Sequence, residues 1–135
     1  MPTARKKGKK YIKNKSKQKK NVLHGKVFIQ ATYNNTLVTI TDENGNTLAW
    51  SSAGHLGFKG PKKATPYAAS VIVKDVAEKV KPFGLRSVDV FVRGVGSGRE
   101  SAIRSLNANN INVQSIKDVT PIPHNGVRPK KPRRV

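Results

Sequence analysis

Apolar and polar positions alternate from residue 22 onward. In KVFIQATY (Lys26–Tyr33), Val27, Ile29, Ala31 and Tyr33 fall on one side, the period of a half-buried strand. An Asn34-Asn35 turn leads to TLVTIT (Thr36–Thr41), β-branched and strand-like. The Asn-Gly pair in DENGN signals a hairpin, and TLAWSS (Thr47–Ser52) reads as a third strand with Trp50, in phase with Leu48, in the core. Residues 53–64, with three glycines and three lysines, read as a loop.

The period then changes. Thr65 suits a helix N-cap and Pro66 its first position. Ala69, Ile72, Val73, Val76, Ala77 and Val80 recur at helical spacing, so one face is buried. Lys81-Pro82 and Gly84 end the helix. SVDVFV (Ser87–Val92) reads as a central strand covered on both faces. A glycine-rich turn follows, then a helix from about Gly98 to Asn107 with Ala102, Ile103 and Leu106 inward, then a strand at Ile111–Val119. The order β-β-β-α-β-α-β predicts an α/β fold. Three antiparallel strands and two crossovers form a mixed five-stranded sheet with helices packed on it, in a topology resembling ribonuclease H.

Charge divides the chain differently. The 135 residues carry a formal net charge of +20. Residues 1–20 hold ten Lys/Arg and residues 128–135 hold five, with no acid in either, whereas the remaining 107 residues balance 12 bases against 7 acids. One-sign blocks repel themselves and bury little, so both tails are expected to be disordered when free. The expected organisation is a basic arm at 1–21, one domain at 22–120, and a C-terminal tail at 121–135 kept extended by four prolines. Tails of this density call for a polyanionic partner. No apolar run approaches the ~20 residues of a membrane span, and no apolar segment follows the basic start as in a secretory signal. Without cysteine there are no disulfides or thiolate zinc sites.

The stretch VRGVGSGRESAIRSL (Val92–Leu106) joins strand, glycine loop and helix, as nucleotide enzymes do. It fails both nucleotide motifs. From Gly94 the chain reads G-V-G-S-G-R-E-S, with no Lys-Ser/Thr pair for a Walker loop and a third glycine one position early for a dinucleotide fingerprint. The physics of the loop remains. Gly94, Gly96, Ser97 and Gly98 let backbone N–H groups and a helix dipole approach an anion, and Arg93 and Arg99 bracket them with charged donors. Glu100 is placed to orient Arg99. The same glycines also suit a tight strand-to-helix turn.

Nuclease chemistry clusters carboxylates around metal ions, one of them on the first strand, and residues 22–33 contain none. Asp42 and Glu43 sit in a hairpin turn and Asp75 and Glu78 on a helix. His24, His55 and His124 lack metal-like spacing. No catalytic residue, metal or cofactor is expected, and no small-molecule substrate.

ATYNNTLVTITDENGN, GFKGPKKATPYAA, GSGRESAIRSLNA and DVTPIPHNGVRPKKPRRV together resemble bacterial-type small-subunit ribosomal protein eleven over residues 22–135. Val95 stands where the family often has proline, and Val127 where cysteine is common. The resemblance implies a structural, non-enzymatic constituent of the small subunit in the cytoplasm, bacterial or organellar. It would bind 16S-type rRNA at the platform, near the messenger and exit-site region, with ribosomal proteins six, eighteen, seven and twenty-one as neighbours. No membrane takes part.

Read with that partner, Arg5, Lys6, Lys7, Lys9, Lys10 and Lys13 in the arm and Arg128, Lys130, Lys131, Arg133 and Arg134 in the tail neutralise phosphates. Asn34, Asn35 and Thr36 form a polar turn able to meet phosphate or a ribose 2′-OH. Phe58, a base-stacking or core residue, adjoins Lys59, Lys62 and Lys63. His124 and Asn125 can read a base edge or a phosphate. Asn125-Gly126 and Asn44-Gly45 are both open to cyclisation, because glycine leaves its nitrogen unhindered. Asn125 is expected to convert to aspartyl or isoaspartyl first.

Overall fold

The alternation at Val27, Ile29 and Ala31 becomes strand β1 (His24–Ala31), whose three apolar side chains are buried. The computed structural model describes residues 21–134. β2 (Thr36–Asp42) and β3 (Thr47–Ser52) follow, then helix α1 (Pro66–Val80), β4 (Ser87–Arg93), α2 (Gly98–Ala108) and β5 (Asn112–Asp118). The sheet order is β3-β2-β1-β4-β5. β1–β2 and β2–β3 pair antiparallel, while β1–β4 and β4–β5 pair parallel. The mixed five-stranded α/β sheet is as the periodicity requires.

Helix α1 starts where the cap chemistry places it. The Thr65 hydroxyl accepts from the Ala68 N–H at 3.2 Å and donates to the Lys62 carbonyl at 2.8 Å. The helix ends in a short 3₁₀ turn (Lys81–Phe83) closed by Gly84 at φ +71°, a left-handed conformation that glycine adopts without steric cost. Ile72, Val73, Val76 and Val80 of α1 and Ala102 and Leu106 of α2 join Val27, Ile29, Val38, Ile40, Val88, Val90 and Val92 in one core. Truncating a buried Ile or Leu in such a core costs about 2–5 kcal/mol.

Several expectations change. β1 ends at Ala31, two residues short of Tyr33, which is 80% exposed in the turn. Trp50 is 49% exposed, while Ala49 and Ser51 are buried. α1 packs against β3, and the small side chains lie on the face it covers. β4 is covered on one face only: Val88, Val90 and Val92 are buried, and Asp89, Phe91 and Arg93 alternate with them on the open side. Residues 60–64, expected as loop, form a 3₁₀ turn. Beyond β5, residues 121–134 form no helix or strand and are exposed.

Candidate nucleic-acid interface

β1, β3, β4 and β5 finish, and β2 begins, at the same end of the sheet, because β4 and β5 run parallel to β1 and β2 runs against it. The connections leaving these strands therefore gather there. They are the Thr32–Asn35 turn, the Ala53–Thr65 segment, the Arg93–Ser97 loop and the start of the C-terminal tail. Both crossover helices begin at this end, at Pro66 and Gly98. Two positive helix-dipole ends thus face one surface.

The glycine loop is held by close packing. Gly94 has φ +90°, and a Cβ there would collide with the Ala31 carbonyl oxygen. A Cβ on Gly96 would stand 2.7 Å from the Thr32 carbonyl oxygen. Gly98 is buried against Thr36 and Ala69. The tight-turn requirement thus accounts for these three glycines, and they bring the loop onto the β1–β2 turn. The Ser97 hydroxyl donates to the Ala64 carbonyl and makes no helix cap. That bond ties the glycine loop to the lysine-bearing turn.

Arg99 acts differently from the expectation. One terminal nitrogen donates to the Gly94 carbonyl at 2.9 Å and the other to Asp118 at 3.0 Å. It clamps the loop to the end of β5, and Glu100 pairs instead with Arg104 at 3.8 Å. The Asp118 carboxyl accepts from both the hydroxyl and the N–H of Thr120, and these bonds followed by Arg99 lower its pKa to about 2. The Thr120 hydroxyl in turn accepts from the Gly94 N–H at 3.0 Å. The first tail residues are thereby pinned beside the loop. Sequence reading missed Asp118 and Thr120, whose role depends on β5 ending next to α2.

Thr36 corrects the reading of the polar turn. It is 1% exposed, with its hydroxyl under Gly98 and without a hydrogen-bond partner, so it presents nothing to a phosphate. Asn34 is exposed and Asn35 half-buried, its side-chain carbonyl accepting from the Thr36 N–H at 2.9 Å. Lys59 and Lys62 are exposed, Lys63 is half-buried and Arg93 is exposed, all at this end. Phe58 packs partly on the core and meets Tyr67 edge-on at 6.1 Å. His124, Asn125, Arg128, Lys130, Lys131, Arg133 and Arg134 are exposed along the tail, with Asn125 at φ +59°. Arg5, Lys6, Lys7, Lys9, Lys10 and Lys13 lie outside the described residues.

The acids do not converge. Among the described residues no three His, Asp or Glu side chains gather into a metal-holding group. Asp89 accepts from Ser115 at 2.8 Å and bonds His24 at 3.0 Å, and these two contacts, Ser115 first, lower its pKa. Asp42 accepts from Asn46 and Asn44 within the hairpin turn, which lowers its pKa too.

The sequence model of ribosomal protein S11 matches residues 25–134. The chain belongs to the ribosomal protein S11 family. Membership makes it a structural, rRNA-binding component of the small ribosomal subunit, a ribonucleoprotein of translation that sits among other ribosomal proteins. The matched span includes the glycine loop, the lysine turn and nearly all of the basic tail.

Proposed function

We propose that this S11-family protein binds 16S-type rRNA at the platform of the small subunit, near the messenger and exit-site region. Ribosomal proteins six, eighteen, seven and twenty-one would be its neighbours, and it would have no catalytic role. Its sheet order is read as the ribonuclease H-like topology, serving here as a scaffold. Residues 22–120 form the binding domain, and the arm at 1–21 and the tail at 121–135 thread between RNA helices.

The observation that carries this reading is the gathering of cations and helix starts at the strand ends. Lys59, Lys62, Lys63 and Arg93 surround two helix N-termini on one surface. Of the acids there, Asp118 is occupied by Thr120 and Arg99, and Glu100 in the first turn of α2 pairs with Arg104. Backbone N–H groups of Gly96 and Ser97 and the Asn34 and Asn35 amides add neutral donors suited to phosphate and 2′-OH. Arg99 supports this surface by fixing the loop. The cations of both tails, His124 and Asn125 extend it along the RNA.

The test compares platform-region rRNA with duplex DNA of equal charge, using the full chain and a form lacking residues 1–20 and 128–135. A preference for rRNA that persists as salt rises, with a flatter salt slope after truncation, supports a selective domain with electrostatic tails. Equal binding of both nucleic acids at every salt concentration contradicts it.

A further inference from the structure

We propose that the open face of the sheet is a second RNA contact, which takes an unpaired nucleobase against the Phe28–Phe91 pair. This rests on the rRNA reading but concerns a different surface and a different part of the nucleotide. Strand register sets Trp50, Thr39, Phe28, Phe91 and Lys117 in one row across all five strands. The Phe28 and Phe91 rings stack, with centroids 5.2 Å apart and planes 17° from parallel. Both helices pack on the other side of the sheet, so Phe28 remains 41% exposed.

A groove beside the rings is lined by Phe28, Ile29, Gln30, Phe91, Arg93 and Val119. Its apolar walls suit a planar group. The Gln30 amide offers one donor group and one acceptor to a base edge. Arg93 stands at the mouth, shared with the strand-end surface, so a strand whose phosphates lie on the glycine loop continues into the groove. Lys26, Arg93 and Lys117 lie on this face. Its one acid among the five strands, Asp89, is engaged by Ser115 and His24. A stacked aromatic pair within cationic and amide side chains matches how single-stranded RNA is held. An apolar protein segment would leave Arg93, which lines the groove, unpaired.

The experiment uses the full chain with two probes: an unstructured single-stranded RNA carrying 2-aminopurine, and an RNA duplex of equal charge. Phe28→Leu and Phe91→Leu keep apolar volume but lose the ring, and circular dichroism with thermal melting verifies that each folds. The expected result is quenching of 2-aminopurine by the wild type. Both variants should bind the single strand about fivefold or more weakly, with quenching lost and duplex binding unchanged. Leucine variants that bind and quench like the wild type overturn the proposal, as does equal weakening toward the duplex. If the wild type binds platform rRNA while these variants match it on every probe, the base platform fails and the rRNA reading stands. If the wild type shows no preference for rRNA, the functional reading itself fails.

Discussion

Arg99 and Asp118 meet at 3.0 Å across the gap between the first turn of α2 and the last residue of β5. Through its other terminal nitrogen Arg99 holds the Gly94 carbonyl. Through Thr120, Asp118 reaches the Gly94 N–H. The two side chains close a ring that fixes the glycine loop, the edge strand and the root of the tail. An exposed ion pair alone contributes ~0–1 kcal/mol, so the value of this one lies chiefly in position.

The ring gives a pH signature. Asp118 has a folded-state pKa of about 2 against an ordinary 3.8, through Thr120 first and Arg99 after it. A depressed carboxyl stabilises the fold fully above its unfolded value and loses that contribution as pH falls through its folded one. Wild type should therefore exceed Asp118→Asn in stability by a constant margin at neutral pH. The margin should shrink between about 3.8 and about 2. Denaturant melts of both proteins across that range check this; a margin independent of pH would contradict it.

Gly94 is the least replaceable residue of the loop. Alanine there meets both the strain of φ +90° and the Ala31 carbonyl. Gly94→Ala should destabilise the protein by at least ~1–3 kcal/mol, the usual cost of a strained backbone conformation. Gly54→Ala, where a Cβ meets nothing within 4 Å, should be near neutral. Chemical denaturation of the pair provides the comparison.

Thr36→Val separates packing from RNA contact. The Thr36 hydroxyl is buried without a partner, and a group in that state costs about 1–3 kcal/mol. The isosteric valine should raise stability and leave rRNA affinity unchanged. A fall in affinity with stability intact would return Thr36 to the interface.

Asn125 should age faster than Asn44. The attacking nitrogen at Asn44 is that of Gly45, which donates to the Asp42 carbonyl at 3.2 Å inside a turn further closed by the Asp42 carboxylate. Asn125 lies in the exposed tail. Peptide mapping of aged protein should find aspartyl and isoaspartyl at 125 before 44; the reverse order would contradict this.

What the sequence made legible followed from local rules. Thr65-Pro66 marks the start of α1, and the valines of β1 and β4 mark the face that the helices cover. The open face was hidden because Phe91, set between the valines, makes β4 read as apolar on both sides. Trp50 was placed inward because it falls in phase with Leu48, whereas α1 approaches β3 over the small residues of the other phase. The loop and turn residues of the candidate surface were found by their chemistry. Their support was not, since Asp118 lies 19 residues from Arg99 in the chain and Thr36 becomes interior only when Gly98 packs over it.

The most direct measurement of the central claim is the salt dependence of platform-rRNA binding for two charge-matched variants of the full chain. One replaces Lys59, Lys62 and Lys63 with glutamine at the strand-end surface. The other replaces Lys74, Lys81 and Arg86, exposed on α1 and toward the opposite end. The first should flatten the slope of log K against log salt by ~0.7–0.9 per lost phosphate contact, and the second should leave it unchanged. Equal flattening by both would mean that general basicity, rather than the strand-end surface, holds the RNA.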